Sequence, residues 1–546
     1  MKKRHMLPFL MATLALGAHA DAPTPTLPAP TPTLPASATA APPRPAATLG
    51  HVSFPTSCDP RVQADFERAV AMLHSFWYSA GEAAFRQVLA DDPQCAIATW
   101  GIASILMSNA LAGQGASPAG AMAAQAAIDE GRKIGAKTAR ERDYLEAVAA
   151  YYQDFAAHSE KERQIARAKA YEALAARYPD DDEAQIFFAL YLAATQTQAD
   201  QTYAAYLRAA AILEAEWKKY PDHPGIAHYL IHSYDAPPLA EKGVSAARLY
   251  AKIAPDAPHA LHMPSHIFTR VGAWQESAAT NKRAMAVAIA GNEPDEAYHA
   301  ADYRVYAELQ LARDAEAKAV IDEAMQIGGT SPRFIAPYAR AAMPARYVFE
   351  RGAWGEAAAL KPPGSNYPFV EAITYFAKSV GEAKSGDLAA ARRDAETLDA
   401  LHAALFDAKN TYWATEVEIQ ALSARAWIAL AEGKPEEALL RMRAAADLED
   451  KNEKHIVTPG RIVPARELLG EMLLAQRQPE AALIAFEASQ RREPNRFRNY
   501  LGSAQAAAMA GDPAKAAAYY QKLLALAKDA DTARPELARA KELAQR

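Results

Sequence analysis

The sequence contains 14 histidines, and seven of them fall between residues 223 and 299: His223, His228, His232, His259, His262, His266 and His299. Neutral imidazole is a preferred ligand of zinc and copper. His228 and His232 stand four residues apart, which puts both rings on one face of a helix. His262 and His266 repeat that spacing. Pro264 lies between them, and proline belongs in the first turn of a helix, so a continuous helix back to His259 is disfavoured. Tyr229 follows His228, so the His-Glu-x-x-His helix of a zinc protease is absent. A phosphate-binding glycine loop, a Gly-x-Ser-x-Gly elbow and a dinucleotide fingerprint are absent too. No catalytic residue is assigned, and enzyme chemistry has no signal outside the histidines.

Whether these rings meet depends on the elements that carry them. Ala, Leu, Glu, Lys and Arg dominate from about residue 55 onward, and apolar residues recur at three- and four-residue spacing, as in Phe66, Ala69, Val70 and Leu73. Breaks marked by proline recur at Asp92-Pro93, Tyr178-Pro179-Asp180, Tyr220-Pro221-Asp222 and Ala254-Pro255-Asp256. Met263-Pro264-Ser265-His266 leads to Gly272-Ala273-Trp274, and Met343-Pro344-Ala345-Arg346 leads to Gly352-Ala353-Trp354 at the same spacing. Pro464-Ala465-Arg466 reads as a third copy. These separations fit units of about 40 residues, the period of a helical-hairpin array. One hairpin cannot bury both apolar faces alone, so stacking is what creates a core.

Helix pairs with Gly-x-Trp at the turn and a closing proline resemble tetratricopeptide repeats. The chain also resembles a group of exported bacterial tetratricopeptide proteins through Leu73-His74-Ser75-Phe76, Cys95 ahead of Trp100-Gly101, HYLIHSYD at 228–235, HMPSHIF at 262–268 and TPGRIVPAR at 458–466. The resemblance implies an all-α, right-handed α-α superhelix over 55–546 and carries no particular activity.

Within that frame, 228–234, 262–271 and the stretch holding His299, Asp302 and Tyr306 fall in the first helices of three successive units. First helices line the concave groove of such a stack. His228, His232, His262, His266 and His299 are therefore expected in one patch, holding zinc or copper through three or four imidazoles, with Asp235 or Asp302 as an added carboxylate or as the base for an activated water. His266 takes the place of Arg346 and Arg466 in the related units, so a groove-lining cation is expected at all three. The leading expectation is a scaffold whose concave groove binds a protein or peptide segment; the alternative is a metal-binding protein or metal-dependent enzyme centred on 228–302. Arg461, Arg496 and Arg498 extend the basic stretch. Trp77, Trp100, Trp274, Trp354 and Trp427 are read as core, and His74 and His455 as structural.

Residues 1–20 read as a secretory signal peptide: Lys2, Lys3 and Arg4, then a short apolar run from Leu7 to Gly17, then Ala18-His19-Ala20 before a cut. Residues 21–54 read as a Pro/Ala/Thr-rich linker of polyproline character. A periplasmic or secreted protein with no membrane span after cleavage is expected. Cys58 and Cys95, the only cysteines, would then form a disulfide. With 65 acidic against 59 basic residues, the net charge of −6 argues against a nucleic-acid partner.

Overall fold

The computed structural model describes residues 47–113, 115–329 and 333–544. The signal peptide and most of the linker lie outside the described residues. Leu49, Val52 and Phe54 are buried in the core, and Phe54 packs against Phe66, Trp100 and Tyr144. The folded body thus begins by Ala47, ahead of the boundary expected at residue 55, because three apolar side chains escape the proline-rich composition around them.

The described residues are helical and contain no strand. Consecutive helices pair as antiparallel hairpins, and each pair packs on the next, as in Trp274–Ala290 on Pro294–Gln310 and Thr411–Ala431 on Pro435–Glu449. The all-α stack of helical hairpins is the architecture read from the repeats. No helix among the described residues is long and apolar enough to cross a membrane. Proline opens many of the helices, including Pro224–Tyr234, Pro258–His262, Pro264–Arg270 and Pro294–Gln310. Its missing N–H falls where a helix has no acceptor for one, and its φ is already helical. The hairpin turns use left-handed residues. Gly272 has φ 68°, and a Cβ there would meet the Pro494 carbonyl at 2.6 Å, so side-chain-bearing residues are excluded on two counts.

That close approach belongs to a second feature: the C-terminal hairpins pack back on the middle of the array. The Trp274 indole N–H donates to the Asn495 carbonyl at 2.7 Å. Arg496, fully buried, pairs with Glu350 at 2.6 Å and Glu467 at 3.0 Å and donates to the Tyr306 hydroxyl.

Between the Pro435–Glu449 and Ala465–Ala475 helices the chain runs without regular structure, and residues 453–460 are all buried. A buried irregular segment must find partners for its backbone. Here the middle repeats supply them. The Glu453 N–H donates to Gln198 O at 2.8 Å, His299 Nε2–H to Val457 O at 2.8 Å, the Tyr303 hydroxyl to Thr458 O at 3.0 Å, and Arg346 to Gly460 O at 2.9 Å and Arg461 O at 2.5 Å. The inner surface of the middle repeats is therefore occupied by the chain's own 453–461 segment, whose last four residues open the TPGRIVPAR stretch.

Candidate metal centre

Three neighbouring helical stretches deliver the rings. His223 caps the Pro224–Tyr234 helix, its Nδ1 accepting from the Ile226 N–H, and that helix carries His228 and His232 one turn apart. Pro258–His262 is helical after all, so His259 joins its neighbours; the chain keeps helical angles through Met263 before Pro264 opens Pro264–Arg270. The interruption at Pro264 costs one hydrogen bond and leaves His262 and His266 neighbours across it, their rings edge-on at 5.1 Å. Pro294–Gln310 supplies His299.

The five expected histidines come together, and a sixth, His259, completes the set. All six are buried, at 0–6% exposure. They sort into two triads whose ligand-type nitrogens converge within 4.8 Å: His228, His232 and His259 in one, His262, His266 and His299 in the other. The triads are neighbours, with the His232 and His266 ring centres 5.5 Å apart and those of His259 and His262 6.0 Å apart. His228 and His232 face each other through Nε2 at 3.1 Å, and so do His262 and His266.

The outward nitrogens decide the protonation. Asn281 donates its amide to Ser277 O at 2.8 Å, which fixes its Oδ1 toward His262 Nδ1 at 2.7 Å. His262 Nδ1 is therefore the donor. His266 Nδ1 donates to the Asp235 carboxylate at 2.9 Å. His299 donates through Nε2 to Val457 O, leaving Nδ1 with the lone pair. In the other triad His228 Nδ1 donates to the His74 carbonyl at 2.7 Å and His259 Nδ1 to Glu296 at 3.0 Å. His259 Nε2 and His232 Nδ1 are buried without a hydrogen-bond partner.

Burial disfavours the charged form of five of these rings. It pushes His228, His232 and His262 far below the usual imidazole range, with neighbouring histidines adding to the effect. It brings His266 to about 4 against the opposing pull of Asp235, and His299 to about 3 against that of Glu296.

A second buried cluster shows what a self-sufficient arrangement looks like. His74 Nε2–H and His223 Nε2–H each donate to Glu183 at 2.9 Å, and His74 Nδ1 accepts from the Tyr229 hydroxyl at 2.9 Å. Burial raises the Glu183 carboxyl, but the two imidazoles outweigh it and hold it at about 2. Every ring nitrogen there has its complement. Gly225 makes room, since a Cβ would meet His74 Nδ1 at 2.4 Å. His74 also positions the centre through its carbonyl.

The carboxylates and arginines are placed differently from expectation. Asp235 stands behind His266 and is held by Arg270 at 2.7 Å and Lys454 at 3.0 Å; burial raises it, and these cations drive it well below the usual carboxylate range. Asp302 pairs with Arg346 at 3.2 Å. Neither faces the triads as a base. Arg346 is fully buried against Asp302 and the 460–461 carbonyls, and Arg466 is bound to Asp447 and Asp450, so neither offers a cation to an open groove. The repeats pair a cation with an acid across helices here; burial converts that position from a groove contact into a packing contact. Arg461, Arg496 and Arg498 are likewise ion-paired, with Glu416 and Glu449, Glu350 and Glu467, and Glu471. Cys58 and Cys95 are joined, 4.7 Å apart at Cα.

No family model and no curated protein matches the chain. Among solved structures it is similar to the human IFIT1 dimer with m7Gppp-AAAA (TM-score 0.35, 11% identity, 75% of this chain and 87% of that one) and to yeast Tom70 (0.31, 12%, 87% and 86%). It is also similar to the Cut9–Hcn1 hetero-tetramer of the APC/C (0.26, 11%, 88% and 96%). Likeness at these scores carries no functional argument.

Proposed function

We propose that this is a metal-binding protein whose buried centre holds two late transition ions, one on each histidine triad. The single observation behind the reading is the His262–His266 pair. Both Nδ1 hydrogens are committed to fixed acceptors, so two Nε2 lone pairs face each other at 3.1 Å in a site sealed from water. Two lone pairs at that range repel unless a cation lies between them. Nitrogens bound at 2.0–2.1 Å in tetrahedral geometry stand about 3.3 Å apart, which the pair nearly matches.

The donor set selects the ion. Six imidazoles without a thiolate suit zinc or copper and do not suit magnesium or calcium. The outward acceptors, Asn281, Asp235, Val457 O, His74 O and Glu296, are the kind that fix ring orientation around a metal. Three protein ligands per ion leave a position for water or a small substrate, which is where any catalysis would occur. The leader read at residues 1–20 would take the protein to the periplasm or beyond, and the centre would be filled there. The groove-scaffold reading lacks a surface at these repeats, where 453–461 is seated.

Metal content of the untagged, exported protein, measured by mass spectrometry after purification and after reloading with Zn(II) or Cu(II), tests the proposal. Two equivalents are expected, falling to one in His262→Ala/His266→Ala and to one in His228→Ala/His232→Ala. A folded protein that takes up neither ion on reloading overturns it.

A further inference from the structure

Residues that are almost wholly buried line the centre, so an ion needs a route in. A cavity of about 480 Å³ opens beside it, walled by Phe76, Trp77 and Tyr78 and edged by Glu293 and Glu296, and His259 is the member of the six that lines it. The Glu296 side chain is 24% exposed and that of His259 only 5%, so the pair runs from the cavity inward, joined by the 3.0 Å hydrogen bond from His259 Nδ1.

A third convergence of donors sits at this point. Ligand-type atoms of His259, Glu296 and His299 lie within 4.8 Å of one another. His259 also belongs to the first triad and His299 to the second, so this group shares one ligand with each. His259 Nε2, buried and without a hydrogen-bond partner, lies at the junction.

We infer that His259, Glu296 and His299 form a hand-over position through which a divalent cation passes from the cavity to both triads. This rests on the metal reading above. A bare dication moving into a low-dielectric interior would lose its hydration at prohibitive cost. Shared ligands avoid that, since each step exchanges one donor while another stays bound. The Glu296 carboxylate supplies the charge that neutral imidazoles lack. Glu293, whose carboxylate accepts from the Trp77 indole N–H at 3.3 Å, adds a second negative charge at the cavity. Carboxylates around a concave mouth raise the local cation concentration, and here they also offset the positive end of the Pro294–Gln310 helix.

The test is the rate of Zn(II) uptake by the chelator-stripped full-length protein, followed in a stopped-flow instrument by competition with a zinc-responsive dye. Glu296→Gln keeps an oxygen for the His259 Nδ1–H and removes the charge. Glu293→Gln, a substitution at the half-buried edge of the cavity, serves as the milder variant should Glu296→Gln fold poorly. About 10-fold slower loading is expected for Glu296→Gln, and a smaller slowing for Glu293→Gln. Glu293→Gln should still bind two ions at equilibrium, and both variants should show a weaker dependence of rate on salt. Unchanged rates in both variants overturn the hand-over position. If the unsubstituted protein takes up no zinc, the metal reading itself falls, and this inference with it.

Discussion

Asn281 holds His262 in one tautomer: its Oδ1 faces the ring's Nδ1 at 2.7 Å because its own amide is spent on Ser277 O at 2.8 Å. The consequence lies on the far side of the ring, where Nε2 must present a lone pair to His266. The same logic applies to His266 and Asp235, with Arg270 and Lys454 keeping the carboxylate from taking the proton. Tautomer control from outside sets the ligand nitrogen in five of the six buried imidazoles.

Replacing Asn281 by leucine should therefore weaken one ion and spare the other. His262 Nδ1 loses its acceptor and the ring is free to turn or to change tautomer. The affinity of the His262–His266–His299 triad should drop about 10- to 100-fold, as for other outer partners of metal-bound histidine. Competition titration with a zinc chelator should resolve one weakened and one unchanged site. Two unchanged sites would show that Asn281 does not set the ligand.

Half of this arrangement was legible in the sequence, and the reason is spacing. His228 with His232, and His262 with His266, announce themselves by four-residue separation, and the repeat frame puts their helices and that of His299 side by side. His259 was obscured by Pro264, which interrupts the helix without turning the chain. The outer partners had no local signature. Asn281 is 19 residues from its ring, Val457 is 158 from His299 and Lys454 is 219 from Asp235. Equivalence of His266, Arg346 and Arg466 along the repeats was readable; that the 453–461 segment would cover the inner surface and turn Arg346 into a buried ion pair was not, since an irregular segment carries no period.

Acid should destabilise the metal-free protein. Burial lowers His266 to about 4 and His299 to about 3, and holds His228, His232 and His262 well below the usual imidazole range. A histidine whose folded pKa lies below its unfolded value of about 6.5 binds more protons when unfolded. Its contribution is fully present above pH 6.5 and is lost as pH falls toward the folded value. Glu449, raised to about 8 by burial, and Glu467, raised to about 7, act in the opposite sense between pH 4.5 and 7. Each fully shifted group contributes about 1.4 kcal/mol per pH unit, and the five imidazoles outnumber these acids. A net loss on the order of 5 kcal/mol from pH 6.5 to 5 is expected in urea denaturation. Bound metal should be released over the same range, because the ligands must lose it to take protons. Flat stability across this window would mean that the rings are not held neutral.

The Cys58–Cys95 link closes a loop with a sequence separation of 37. Loop-closure reasoning gives about 4 kcal/mol of stabilisation for that length. It tethers the start of the body, where Leu49, Val52 and Phe54 are packed, to the segment ahead of the Ile97–Leu106 helix. Cys58→Ser/Cys95→Ser should lower the denaturation midpoint accordingly, and a reductant should do so only in the unsubstituted protein. Equal midpoints with and without reductant would show that the link is not formed or does not matter.

Arg496 is a buried charge held between the C-terminal hairpins and the middle of the array. Its guanidinium is fully buried and faces Glu350 and Glu467, both fully buried too, and the ring of Tyr306. Removing one member of such a group leaves uncompensated charge in the interior, which costs about 3–5 kcal/mol. The acids are not equivalent in what they lose. Burial raises Glu467 to about 7 even with Arg496 beside it, so without the arginine it should stay protonated at neutral pH and limit the damage. Arg496→Met should therefore destabilise strongly at pH 8 and less at pH 6, a pH trend opposite to that of the histidines. The triple variant Arg496→Met/Glu350→Leu/Glu467→Leu should recover much of the loss, because the penalty lies in the unpaired charges and not in the missing attraction. Denaturation curves for the three proteins at both pH values check this. Equal losses at pH 6 and pH 8, with no recovery in the triple variant, would mean that the contact holds the hairpins by shape alone.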